Sequence, residues 1–156
     1  MKSKKLPIEY YQRRSNLKNN FFIFKQDTGL SHSIEGYTSD VVNNYEDNSI
    51  DFLFIDSSHE YEDVLNDLNL WYHKVKSNGI IAGHDYNWDD FPGVARAVND
   101  FFGADNFIVS KWSWIYQKNI NYIPEHGRGG FIPAINYIKN NNIKNPIIVE
   151  IGTQRN

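Results

Sequence analysis

The sequence contains no cysteine. That excludes a disulfide framework, a thiolate nucleophile and a zinc–cysteine site. It also agrees with a reducing compartment, and a cytoplasmic location is the expectation. No apolar run approaches the roughly 18 residues needed to cross a bilayer. The N-terminus has no apolar stretch of the signal-peptide kind, so no membrane partner is expected. Positive charge is outnumbered, with 16 Lys and Arg against 19 Asp and Glu and a net charge of -3. The isoelectric point is near 5.9. A broad electrostatic nucleic-acid footprint is therefore not expected. The basic start, Lys2, Lys4 and Lys5, reads as a solvated end.

What is present is a chain of 156 residues, 40% hydrophobic and 15% aromatic. That is enough apolar material for the core of one domain, and wholesale disorder is excluded. The asparagine excess, as at Asn140-Asn141-Asn142, reads as coding bias rather than chemistry.

Tyr10, Tyr11, Leu17, Phe21 and Phe24 form a loose apolar stripe that predicts a helix over 8–28, with Gly29 as its C-cap. A short strand over 33–37 and a short helix over 38–47 follow. Asp51-Phe-Leu-Phe-Ile-Asp56 has the form of a buried parallel strand. Tyr61, Val64, Leu65, Leu68, Trp71, Tyr72 and Val75 then mark one face of an amphipathic helix. Ser77-Asn78-Gly79 reads as its C-cap and Gly79–Gly83 as a second strand. Pro92 opens a helix over 92–102, and 107–109 and 114–116 are two short strands. Residues 119–130 read as a linker, 131–142 as a helix and 146–152 as an apolar strand. Strand and helix alternate, so the fold class is α/β, a mostly parallel sheet with helices on both faces.

In open α/β sheets, ligands bind beyond the carboxyl ends of the strands. Two such ends carry Asp56-Ser57-Ser58-His59-Glu60 and His84-Asp85-Tyr86-Asn87-Trp88-Asp89-Asp90. On neighbouring strands their tips lie roughly 5 Å apart, which lets Asp56 and Asp85 converge. Two carboxylates, two histidines and water suit a divalent cation. His59 is placed to take a proton near neutral pH. The plainer readings are that Asp56 is an N-cap for the next helix and that Asp89 and Asp90 are cap and solvated loop. Tyr86 and Trp88 suit either ring stacking or rim packing. His32, His73 and His126 are assigned no function.

Phe54-Ile-Asp-Ser-Ser-His-Glu-Tyr61, Asp67, Trp71, Gly79-Ile-Ile-Ala-Gly-His-Asp-Tyr86, Pro92-Gly-Val-Ala-Arg-Ala-Val98 and Phe101-Phe102, in that order, resemble the class I S-adenosylmethionine-dependent methyltransferases. The branch most similar holds sugar O-methyltransferases and cephalosporin-hydroxylase-like proteins. Asp27–His32 and Ile34–Ser39 resemble that family's approach to its third strand. The resemblance spans 8 to about 118. It implies a Rossmann-like seven-stranded sheet ending in an antiparallel hairpin, with 51–56 and 79–83 as its fourth and fifth strands. It implies S-adenosylmethionine as cofactor, Asp56 as a magnesium ligand and cofactor-binding residue, and His59 as general base. Ser39 falls near the adenine pocket. The family's acidic pair after the fifth strand corresponds to His84 and Asp85, so the candidate metal set is Asp56, His84 and Asp85, with one carboxylate fewer. The partner implied is a small hydroxylated acceptor, such as a sugar.

The family's first strand and Gly-rich loop do not precede residue 8. Ile148-Val-Glu-Ile-Gly-Thr153 resembles them instead, and 131–142 the helix before them. Three arrangements fit. The expectation is a piece spanning tandem domains: 1–118 as the later part of one, 119–130 as linker, 131–156 as the start of the next. In a circular permutant, the last strand lies beside 51–56 and Glu150 and Gly152 meet the cofactor. The third is a scaffold that has lost catalysis. An incomplete sheet would expose an edge for self-association. Other functions in view are a non-catalytic interaction domain and a metal-dependent oxygenase or hydrolase.

Overall fold

The computed structural model describes residues 19–25, 30–87, 89–118, 138–144 and 146–153. It forms one seven-stranded sheet. The strands are β1 (Asn19–Lys25), β2 (Leu30–Gly36), β3 (Ile50–Asp56), β4 (Val75–Gly83), β5 (Ile108–Ser110), β6 (Ser113–Gln117) and β7 (Ile147–Thr153). Their spatial order is β2-β1-β7-β3-β4-β6-β5. The helices are α1 (Thr38–Val41), α2 (Tyr61–Trp71) and α3 (Pro92–Phe102), and α1 and α2 each run on into a 3-10 turn.

The centre is parallel: β7, β3 and β4 run the same way. The flanks are antiparallel, β1 on β7, β2 on β1, β6 on β4 and β5 on β6. The sheet is therefore mixed rather than mostly parallel. The expected final hairpin is present as β5 and β6.

β3 is apolar from Phe52 to Ile55, and those residues are buried on both of its faces. Leu53 and Ile55, with Ile81, Val149 and Ile151 of the neighbouring strands, join a core shared with Val64, Leu68 and Trp71 of α2 and Val94, Ala97 and Val98 of α3. The alternate residues Phe52 and Phe54 form a second cluster with Ile80, Ala82 and Ile115, as the two-residue strand period requires. Among the described residues, all three helices belong to the first cluster. The helices expected at 8–28 and 131–142 fall largely outside the described residues, as does the linker at 119–130. Residues 138–140 are helical and Ile138 is buried.

Two expectations are corrected. Residues 19–25 form a strand, not helix: Phe21-Phe-Ile-Phe24 is a continuous β-favouring run, and β1 is bonded on both sides, to β2 and β7. Ser77-Asn78-Gly79 lies inside β4 and does not cap α2. Asn78 takes a left-handed φ of 69° there, where the β3–β4 register shifts between Ile50 and Phe52. On the side of β3 away from β4, β7 pairs with it from Phe52↔Ile148 to Asp56↔Gly152. The outermost strands are β2 and β5.

Candidate functional site

The chain leaves β3 at Asp56 and enters α2 at Tyr61. The next strand in sequence, β4, lies on one side of β3 and β7 on the other. Such a reversal opens a crevice beyond the strand ends, and three carboxylates gather near it. Asp56 is paired in register with Gly152, and Glu150 with Phe54. Burial, and then the charge of Asp56, push the Glu150 carboxyl above its ordinary value. Asp85 arrives from the loop after β4.

Asp56, His59 and Asp85 each bring a ligand atom within 4.8 Å of the others. Asp85 is 5% exposed and sits at a left-handed φ of 62°, a conformation that Asp tolerates better than most side chains. Its two oxygens meet two imidazoles: Oδ2 lies 2.7 Å from His59 Nε2 and Oδ1 lies 2.8 Å from His84 Nδ1. A carboxylate only accepts, so each of those ring nitrogens carries its proton. In the neutral rings that makes His59 Nδ1 and His84 Nε2 the acceptor nitrogens.

His59 is also held from above and below its loop. Phe91 stacks on it, with centroids 3.9 Å apart and planes 13° from parallel. Gly93, in the first turn of α3, permits this: a Cβ there would lie 2.5 Å from the His59 carbonyl oxygen and 2.6 Å from the Tyr61 amide nitrogen. Gly83 plays a similar part at the end of β4, where a Cβ would lie 2.5 Å from the Ile55 carbonyl oxygen and 2.6 Å from the Trp114 ring.

Behind the loop lies a sealed polar network. Ser57 donates to Asp67 Oδ2 at 2.7 Å, and the Trp71 indole donates to Thr38 Oγ1 at 2.6 Å. Thr38 in turn bonds to Asp67, whose pKa burial raises to about 6 against the lowering effect of the two hydroxyls. The network ties the start of α1, where Ser39 lies, to the residue that follows Asp56.

The sequence-predicted residues divide accordingly. Asp56, His59 and Asp85 converge. His84 touches Asp85 but lies outside that three-residue cluster. Glu150 and Gly152 stand on β7 beside the end of β3. Ser39 is half-buried, and its carbonyl accepts from Asn43. The cap readings fail, because α2 is capped at Glu60 and α3 at Phe91, neither through a side chain. Tyr86 is a packing residue, edge-on to Phe107 at 5.4 Å and donating to Asn99 at 2.9 Å. Trp88 lies outside the described residues. Phe91 and Gly93 were not foreseen as site residues. A glycine directly after the Pro92 helix start was the one available signal for them.

Residues 7–86 match a family described as a methyltransferase domain. An uncharacterized protein, R132, of Acanthamoeba polyphaga mimivirus is 38% identical over 92 residues, covering 51% of this chain. The chain spans only 41% of that relative's length. No solved structure matches. No helix among the described residues is long and apolar enough to cross a membrane.

Proposed function

The chain belongs to the methyltransferase-domain family, and from that premise we propose that it is an S-adenosylmethionine-dependent O-methyltransferase acting on a sugar or another small hydroxylated molecule. The observation that carries this reading is the convergence of Asp56, His59 and Asp85 beyond the end of β3.

The donor set suits the groups it would hold. Glu150 and Asp56 crowd like charge at the ends of adjacent strands, and a cationic ligand relieves that repulsion. Glu150 and Gly152, at the end of β7, are placed to meet the cofactor, with Gly152 leaving room for close approach. A hard divalent cation such as Mg2+ prefers oxygen ligands, so Asp56 and Asp85 are its natural holders. When bound, S-adenosylmethionine supplies a methyl group on a sulfonium, whose carbon–sulfur bond breaks with the electron pair staying on sulfur.

The rest falls to the chain's own residues. His59 Nδ1 takes the acceptor's hydroxyl proton as the new oxygen–carbon bond forms. Asp85, bonded at Nε2, stabilises the imidazolium that results. Phe91 keeps the ring in one plane. Alignment of the acceptor oxygen then lowers the barrier further.

Calorimetric titration with S-adenosylhomocysteine, with and without magnesium, tests the reading. Stoichiometric binding is expected, and a folded chain that binds none overturns it. An His59→Ala variant should bind S-adenosylhomocysteine as before while turnover drops by roughly 10²–10⁴. Unchanged turnover would remove the base assignment.

A further inference from the structure

β5 and β6 are joined by a two-residue turn, Lys111-Trp112, between the paired Ser110 and Ser113. Lys111 takes a left-handed φ of 57°, as tight hairpins of this length demand. Two hydrogen bonds fasten the turn to the loop after β4. The Tyr86 amide donates to the Trp112 carbonyl at 2.8 Å, and Asn87 Nδ2 donates to the Lys111 carbonyl at 2.7 Å. The hairpin tip is therefore built onto the segment that carries His84 and Asp85.

The tip presents Trp112, the one large apolar side chain among the described residues that is exposed, at 51%. Its ring meets the His84 ring edge-on, 6.3 Å between centroids and 78° between planes. His84 is itself one-third exposed. With Nδ1 bonded to Asp85, Nε2 is the His84 ring nitrogen that remains for a ligand hydroxyl. The order across the rim is indole, imidazole, Asp85, then the His59 and Asp56 cluster.

We infer that Trp112 and His84 form the acceptor platform: a six-membered ring bearing hydroxyls lies with its apolar face on the indole and hydrogen-bonds one hydroxyl to His84 Nε2. An aromatic wall with a single convergent polar atom is the usual make-up of a small-molecule subsite. The use of the bound ring as a methyl acceptor rests on the function proposed above; its binding does not. The platform reads the class of acceptor, and the Asp56–His59–Asp85 cluster does the chemistry.

The test uses the whole chain labelled with 5-fluorotryptophan, which gives one fluorine signal for each of the four tryptophans. The Trp112 signal is identified by its loss in Trp112→Phe. Three probes are titrated: methyl β-glucopyranoside, catechol and open-chain sorbitol. A saturable shift of the Trp112 signal with a ring probe and none with sorbitol is expected. A shift with the pyranoside alone assigns a saturated ring, and one with catechol alone an aromatic ring. His84→Ala should weaken the binding about tenfold, and Trp112→Ala, followed through the ligand signals, by a similar factor, with Trp112→Phe largely restoring it. No saturable shift from either ring, an equal shift with sorbitol, or unchanged affinity in His84→Ala overturns the platform. S-adenosylhomocysteine binding on the same sample separates the two claims: ring binding without cofactor binding removes the methyltransferase reading and leaves the platform standing.

Discussion

Asp67 and Asp85 are both buried aspartates beside the end of β3, 3% and 5% exposed, and they are used in opposite ways. Asp67 is enclosed by hydroxyl donors, Ser57 and Thr38, with the Trp71 indole behind them. Asp85 is bracketed by two imidazoles whose side chains are 25% and 33% exposed, and it shares a 4.8 Å cluster with Asp56. A buried charge satisfied by fixed donors fastens structure. A buried carboxylate bonded to two half-buried imidazoles at the rim is turned toward the cluster instead. The two lie on either side of one loop, 57–60, so the fastened aspartate holds the loop from which the reactive histidine projects.

Four experiments break or sharpen that contrast. The largest effect on stability is expected from Asp67→Ala, which strands the Ser57 and Thr38 hydroxyls inside the core. A loss of roughly 3 kcal/mol should appear in urea unfolding. A change below about 1 kcal/mol would mean that Asp67 is not the fastening group. Asp85→Ala should cost less stability, because its imidazole partners regain water, while weakening Mn2+ binding to the cluster strongly.

Gly93→Ala comes next, at roughly 1–3 kcal/mol of overpacking. The added methyl must push the start of α3 away from the His59–Tyr61 backbone. Since that start carries Phe91, the stack on His59 should open. The His59 ring proton resonances, shifted by the Phe91 ring in the parent, should return toward unstacked values. Resonances that stay put in a folded variant would contradict the cradle.

The third is a pH dependence. Asp67 holds its proton to about pH 6 in the fold, above its unfolded carboxyl value near 3.9. Between those values the folded chain binds more protons than the unfolded one. Its contribution is therefore complete below the unfolded pKa and fades as pH rises through about 6. Asp67→Asn should flatten the stability profile over pH 4–6, by an amount on the order of 2 kcal/mol at most. A parent profile of the same slope as the variant's would show that Asp67 does not titrate there. The smallest effect is expected from Arg96→Ala. Arg96 lies 3.9 Å from Asp100 and over the Tyr61 ring at 4.1 Å, but it is so exposed that the loss should stay within about 0.5 kcal/mol.

The parts of this protein that could be read from its sequence are those whose pattern is dictated locally. The apolar stripe of 61–75 and the Pro92 start with Val94, Ala97, Val98 and Phe101 gave α2 and α3, because a buried helical face needs that spacing whatever it packs against. The run 51–56 gave β3 because a strand covered on both faces admits few polar residues. Residues 19–25 misled because aromatic clusters satisfy a loose helical stripe and a strand equally well. Its pairing partners select the strand: 30–36, a hairpin neighbour, and 147–153, more than 120 residues away. The C-cap reading of 77–79 failed for a related reason: a Gly after a polar pair marks a helix end or an irregular strand alike.

For the candidate site, the sequence by itself determined which chemical groups are available, Asp56, His59, His84 and Asp85, and that they follow two neighbouring strands. Tertiary structure decided which of them meet. A loop's course depends on what it is packed against, and Phe91 and Gly93 of α3 and Asp67 of α2 settle the position of His59. Pairing across 96 residues places Glu150 and Gly152 beside the end of β3, and no local spacing records that. Trp112 is the clearest case: an isolated tryptophan between two short strands carries no signal, and it becomes a rim residue only because the hairpin turn folds onto the loop after β4.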